Sequence, residues 1–138
     1  MDAKSLLLAY LSAVRDAPRA AALFAEDGAI ELPYLYSLRV PARFAGRQEI
    51  ELFLRGLLGL YPDFAFGPDE TRVLIDTPDR VYAEYVAHGR AAATGRQVHS
   101  LFAGYVVAKG GRIVLLREAF NVFAMAQAQL PALKAGQG

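Results

Sequence analysis

At 138 residues the chain is about the modal size of one domain, and 54% hydrophobic against 21% charged residues is a globular balance rather than a disordered one. A formal net charge of +1 gives nucleic-acid binding no electrostatic support. The absence of cysteine excludes disulfides, thiolate catalysis and Cys-based metal sites. The histidines, His88 and His99, are too few for a His-only zinc site.

No apolar run approaches the roughly 18 residues that span a bilayer. Lys4 stands before the apolar stretch Leu6–Leu11, but Arg15, Asp16 and Arg19 follow without a small-x-small cleavage pattern. The start therefore reads as a helix of a cytoplasmic protein, with Leu6, Leu7, Tyr10, Leu11 and Val14 on one stripe. Pro18 opens a second helix to Ala25, which Glu26-Asp27-Gly28 ends, with Gly28 suited to a left-handed cap. Ala29 to Leu32 reads as a short strand, and residues 33–46 as a long loop of functional length. Arg47 to Leu60 carries Ile50, Phe53, Leu54, Leu57 and Leu58 at helical spacing, and Tyr61-Pro62-Asp63 breaks it.

The rest is strand-like: Phe64–Phe66, Thr71–Ile75, Val81–Ala93, Gln97–Ala108 and Arg112–Phe123. Thr94-Gly95-Arg96 and Lys109-Gly110-Gly111 are hairpin turns. They form no phosphate loop, since neither GxGxxG nor GxxxxGK[ST] occurs. Helices early and strands late predict an α+β fold: a curved antiparallel sheet with three N-terminal helices on its concave face, enclosing a cone-shaped pocket. One domain is expected over residues 1–128, with 129–138 a disordered tail. The strands are apolar on both faces, so a second copy is expected on the face the helices leave open. Ala103, Tyr105, Leu115 and Arg117 would take part in that homodimer.

Tyr10-Leu11-Ser12-Ala13-Val14 followed by Ala22–Glu31, then Phe44-Ala45-Gly46-Arg47-Gln48-Glu49-Ile50, then Leu60-Tyr61-Pro62-Asp63-Phe64, together with the two hairpins, resemble the nuclear transport factor 2-like superfamily. The likeness is to its SnoaL-like and ketosteroid-isomerase-like branch and covers roughly residues 5–125. Leu116-Arg117-Glu118-Ala119-Phe120-Asn121 is similar to the last strand of the phenazine-biosynthesis PhzA/PhzB-like proteins, in which the strand glutamate is a pocket acid/base. The resemblance thus implies a pocket position for Glu118. It says little about substrate, because this fold hosts isomerases, cyclases, hydrolases, dehydratases and non-catalytic binders. Ketosteroid isomerases carry an aspartate base where this chain has Glu31-Leu32-Pro33. Their acidic oxyanion donor falls near Gly104, as does the SnoaL cyclases' strand histidine. Only their first-helix tyrosine has a counterpart, Tyr10. Steroid isomerisation by that mechanism is not expected.

Glu118 shares its strand face with Leu116 and Phe120, so it is a desolvated carboxyl suited to acid/base work, or else an ion-pair partner at the sheet edge. On the strand from Val81, one parity holds Tyr82, Glu84, Val86 and His88 and the other Ala83, Tyr85 and Ala87. Both sets mix polar and apolar types. The resemblance favours the first as pocket-facing. Glu118, His88, Glu84 and Tyr10 are therefore the candidate catalytic residues. His88 could equally be a polar rim residue, Glu84 solvated, and Tyr10 core filler. His99 is assigned to the surface or dimer face. Phe24, Tyr34, Phe53, Leu57, Phe64, Phe66, Tyr82, Val86, Phe102, Leu116 and Phe120 are expected to line the cavity.

Two functions are open on these residues. One is a cofactor-free, metal-free enzyme of isomerase, cyclase or dehydratase type acting on a small hydrophobic carbonyl or polyketide-like compound. The other is a non-catalytic binding or interaction module. Convergence of Glu118, His88 and Glu84 on one cavity would favour chemistry.

Overall fold

In the computed structural model, which describes residues 1–130, the Asp2 carboxylate accepts from the Ser5 amide at 2.8 Å and starts α1 (Ala3–Ala13). Its stripe of Leu6, Leu7, Tyr10 and Leu11 is buried. Asp16 caps α2 (Ala17–Ala21), with Pro18 in its first turn. This helix is shorter than expected, because β1 already begins at Phe24 (Phe24–Glu31). Gly28 is therefore no helix cap but an interior strand residue. A Cβ there would lie 2.6 Å from the Ile113 carbonyl oxygen, so only glycine lets the two strands meet.

The expected loop over residues 33–46 contains structure. A 3₁₀ helix (Pro33–Leu38) ends on Arg39 in the left-handed conformation, φ 58°, and β2 (Arg43–Ala45) returns to pair with β1. α3 (Arg47–Leu60) follows and buries Ile50 and Leu54. Then come β3 (Ala65–Phe66), β4 (Arg72–Thr77), β5 (Arg80–Arg90), β6 (Gln97–Lys109) and β7 (Arg112–Phe120). Finally α4 (Val122–Gln129) is capped by the Asn121 side chain. The part of the expected tail from residue 131 lies outside the described residues; Gln129 still belongs to α4.

The seven strands run in the order β2-β1-β7-β6-β5-β3, with β4 also on β5. The sheet is mixed, not wholly antiparallel, because β1 lies parallel to β7. That pairing joins strands far apart in sequence, which no local hairpin signal announces. The β5–β6 and β6–β7 ladders are antiparallel and long, and they fix which residues share a face. The inner face carries Val81, Ala83, Tyr85 and Ala87 of β5, Phe102, Gly104 and Val106 of β6, and Leu116 and Glu118 of β7, all buried. α1 and α3 pack against the sheet and complete the core. No helix of the described residues is long and apolar enough to cross a membrane.

Candidate functional site

Between the inner sheet face, α1, α3, α4 and the 3₁₀ helix lies a cavity of about 590 Å³. Its aromatic floor comes from alternate strand positions. Phe66 of β3 and Phe102 of β6 meet edge to face at 5.4 Å, and Phe102 stacks on Phe120 of β7 at 4.9 Å. Glu118 stands among them on β7, only 3% exposed. Tyr10 enters from α1. The described residues lining the cavity include no Lys, Arg or His, so an anionic cofactor would find no counter-charge there. Among the described residues no group of His, Cys, Asp and Glu could hold a metal ion.

Glu118 takes its hydrogen bond from a residue on a strand two positions away. The Tyr85 hydroxyl of β5 donates to Glu118 Oε2 at 2.5 Å. It reaches β7 by passing over β6 at Gly104, the residue directly opposite Glu118 in the ladder. A Cβ at Gly104 would lie 1.9 Å from the Tyr85 hydroxyl oxygen, so the missing side chain is the space the phenol occupies. Burial pushes the Glu118 carboxyl up to about 7, against a smaller lowering by the Tyr85 hydrogen bond. The Tyr10 and Tyr85 phenols are pushed well above their ordinary range by burial first and by the Glu118 charge second. The other polar groups of the lining are already engaged. Tyr61 donates to the Met125 carbonyl, and Gln129 Nε2 to the Leu60 carbonyl at 3.0 Å.

The sequence-based candidates separate cleanly. Glu118 and Tyr10 line the cavity, as do Phe53, Leu57, Phe64, Phe66, Phe102 and Phe120. Glu84, His88, Tyr82 and Val86 do not, because β5 presents its other parity inward. His88 instead sits on the outer face, with Nε2 2.6 Å from Glu70 Oε1 and its ring 4.5 Å from that of His99, directly opposite on β6. Phe24 and Leu116 are wholly buried core residues outside the lining, and Phe24 packs edge-on against Tyr10. Tyr34 is 57% exposed on the 3₁₀ helix. Sequence reasoning missed Tyr85, and also the apolar wall made by Leu35, Leu38 and Val40 within the segment it reads as a long loop.

A family model for the SnoaL-like domain matches residues 8–116. The chain belongs to this family. Among curated proteins no sequence match was found. Solved structures share the fold of this SnoaL-like chain. A phenazine biosynthesis-related protein from Pseudomonas aeruginosa is 21% identical, covering 97% of this chain and 90% of its own, with a TM-score of 0.76. A provisionally named polyketide cyclase from Xanthomonas campestris is 24% identical over 93% of this chain and 96% of its own, TM-score 0.77. A provisionally named isomerase from Bacillus subtilis is 21% identical over 91% of both chains, TM-score 0.77. At these identities the likeness fixes the architecture, and the chemistry has to be argued from the cavity.

Proposed function

We propose that this SnoaL-like protein is a cofactor-free acid/base enzyme that moves a proton on a small, mostly apolar carbonyl compound, in the cytoplasm. The observation that carries the reading is Glu118, a carboxyl held near neutrality, at about 7, inside an apolar cavity. A base that titrates near the working pH is present in both forms, so it takes and returns a proton with little driving-force penalty. The substrate's carbonyl oxygen accepts a hydrogen bond from Tyr10. The Glu118 carboxylate removes the proton on the adjacent carbon, and the electron pair moves onto that oxygen as an enolate. Tyr10 stabilises the developing charge. Glu118, now protonated, returns the proton to the same or a conjugated carbon. Isomerisation is that return at a different carbon; cyclisation and dehydration begin with the same abstraction. Tyr85 holds Oε2 throughout and leaves Oε1 for the substrate.

The test is deuterium exchange next to the carbonyl of a simple methyl ketone in heavy water, followed by proton NMR. Wild-type protein is expected to exchange well above buffer background. Glu118→Gln, which keeps shape and the Tyr85 contact, is expected to lose about 10²–10⁴-fold. Equal exchange by both proteins contradicts the assignment of Glu118. One observation favours a second reading, a non-catalytic binder: with Glu84 and His88 on the other face, Glu118 is the lone carboxyl among the described lining residues. Binding of ketones without any exchange would select that reading.

We further propose that the outer sheet face pairs two copies. Tyr82 and Leu101, 37% and 56% exposed, lie there with Ala103, Tyr105 and Leu115. Arg117 is on the same face, held by Glu31 at 2.9 Å. Sedimentation at micromolar concentration is expected to give twice the chain mass, and Leu101→Asp the single mass. A monomeric wild type contradicts the pairing.

A further inference from the structure

Gly56 stands in the interior of α3, on its exposed side, where glycine is the least favourable residue after proline. Its position gives the reason. Leu52, Gly56 and Leu60 are spaced by four and so form one stripe along the helix. All three line the cavity, yet Leu52 and Leu60 are 61% and 52% exposed. Residues that line a cavity and also meet solvent mark its mouth. Leu38 and Val40, at the end of the 3₁₀ helix, do the same at 42% and 43%. A Cβ at Gly56 would meet nothing within 4 Å, so the stripe has an open notch between its two leucines. The buried end is different: Glu118, 3% exposed, is there. The cavity therefore has a polar anchor inside and greasy lips outside.

We infer that the ligand is elongated, with its carbonyl head at Glu118 and a slender apolar chain leaving through the Gly56 notch. This rests on the reading of Glu118 as the group that meets the carbonyl. A compact ligand enclosed by the cavity would leave four large aliphatic lip residues in water. A polar tail would cover them without removing the unfavourable apolar exposure. An alkyl chain removes it and gains about fourfold in affinity for each methylene it buries.

The experiment uses straight-chain methyl ketones of about six to about fourteen carbons, with each dissociation constant measured by NMR titration and about a fourfold gain expected per added carbon while the chain runs along the lips. Gly56→Leu fills the notch. It is expected to weaken the longest ketones at least tenfold more than the shortest. Gly59→Leu is the control, since Gly59 lies on the same helix, does not line the cavity and also has nothing within 4 Å of a Cβ. Both changes raise helix propensity, so neither is expected to unfold the chain. Affinity that falls for the long ketones in wild type, or identical chain-length profiles for the Gly56 and Gly59 variants, overturns the inference. If short ketones bind and exchange their protons through Glu118 while long ones are refused, the inference fails and the proton-transfer reading stands. If no ketone of any length binds, both fail.

Discussion

Acidification from about pH 8 to about pH 5 is expected to stabilise the protein by about 3 kcal/mol through Glu118 alone, and Glu118→Gln to remove that contribution. In the folded chain the Glu118 carboxyl sits at about 7, against 4.5 for an unperturbed glutamate. The folded state therefore binds this proton more tightly than the unfolded state does. Between these two values the folded chain carries the proton and the unfolded chain has lost it, so stability falls as pH rises. Below the unfolded value the contribution is fully present; above the folded value it is gone. Each unit of difference is worth about 1.4 kcal/mol, and the gap of two to three units gives the figure above. Urea unfolding at several pH values measures it directly, since the midpoint shifts at constant slope. The difference in stability between Glu118→Gln and wild type should grow in favour of the variant toward high pH. A difference independent of pH would mean that the carboxyl is hydrated in solution and titrates normally.

Glu118 itself was legible in the sequence. Alternation along Leu116, Glu118 and Phe120 predicts one carboxyl on an apolar face, and the structure has it there. The α1 stripe and the α3 helix were legible for the same reason, a strong period over several turns. The β5 facing was not, because both of its parities mix polar and apolar residues. What decides it is the β5–β6 ladder, in which Tyr85 lies opposite Phe102 and shares its inner face. A local signal did exist at Gly104: glycine inside an otherwise apolar strand marks a place where something passes close. A crossing point there requires a long side chain from the tyrosine parity of β5, not from the histidine parity. The second helix ends at Ala21, short of the Ala25 that the sequence predicts, because Glu26-Asp27-Gly28 has the composition of a helix end but lies in β1. The reason for that glycine is a contact with the Ile113 carbonyl, 85 positions away in the chain, which composition cannot carry. The 3₁₀ helix that walls the cavity was hidden for a related reason: Pro33 and Pro41 break every longer period around it.

Gly104→Ala is expected to destabilise the protein by about 2–6 kcal/mol, which is large for the addition of one methyl group. The new Cβ would lie 1.9 Å from the Tyr85 hydroxyl oxygen and 2.7 Å from the ring carbon that bears it. Tyr85 has no free direction in which to yield. Its ring is wholly buried, edge-on to Phe66 at 5.1 Å and stacked near Phe102 at 6.1 Å. Moving it overpacks those rings, worth about 1–3 kcal/mol, and separates the phenol from Glu118, leaving a buried donor and a buried acceptor unpaired at about 1–3 kcal/mol more. The loss of the hydrogen bond also removes the one influence that lowers the Glu118 carboxyl, so its titration should move upward. Tyr85→Phe deletes the same hydrogen bond without the added methyl. The double variant therefore loses that bond once, whereas the sum of the two single variants counts it twice. Its destabilisation should fall short of the sum by at least about 1 kcal/mol. Urea midpoints of the four proteins at one pH close this cycle. A Gly104→Ala protein as stable as wild type, or strict additivity across the cycle, would show that Tyr85 does not hold Glu118 across β6.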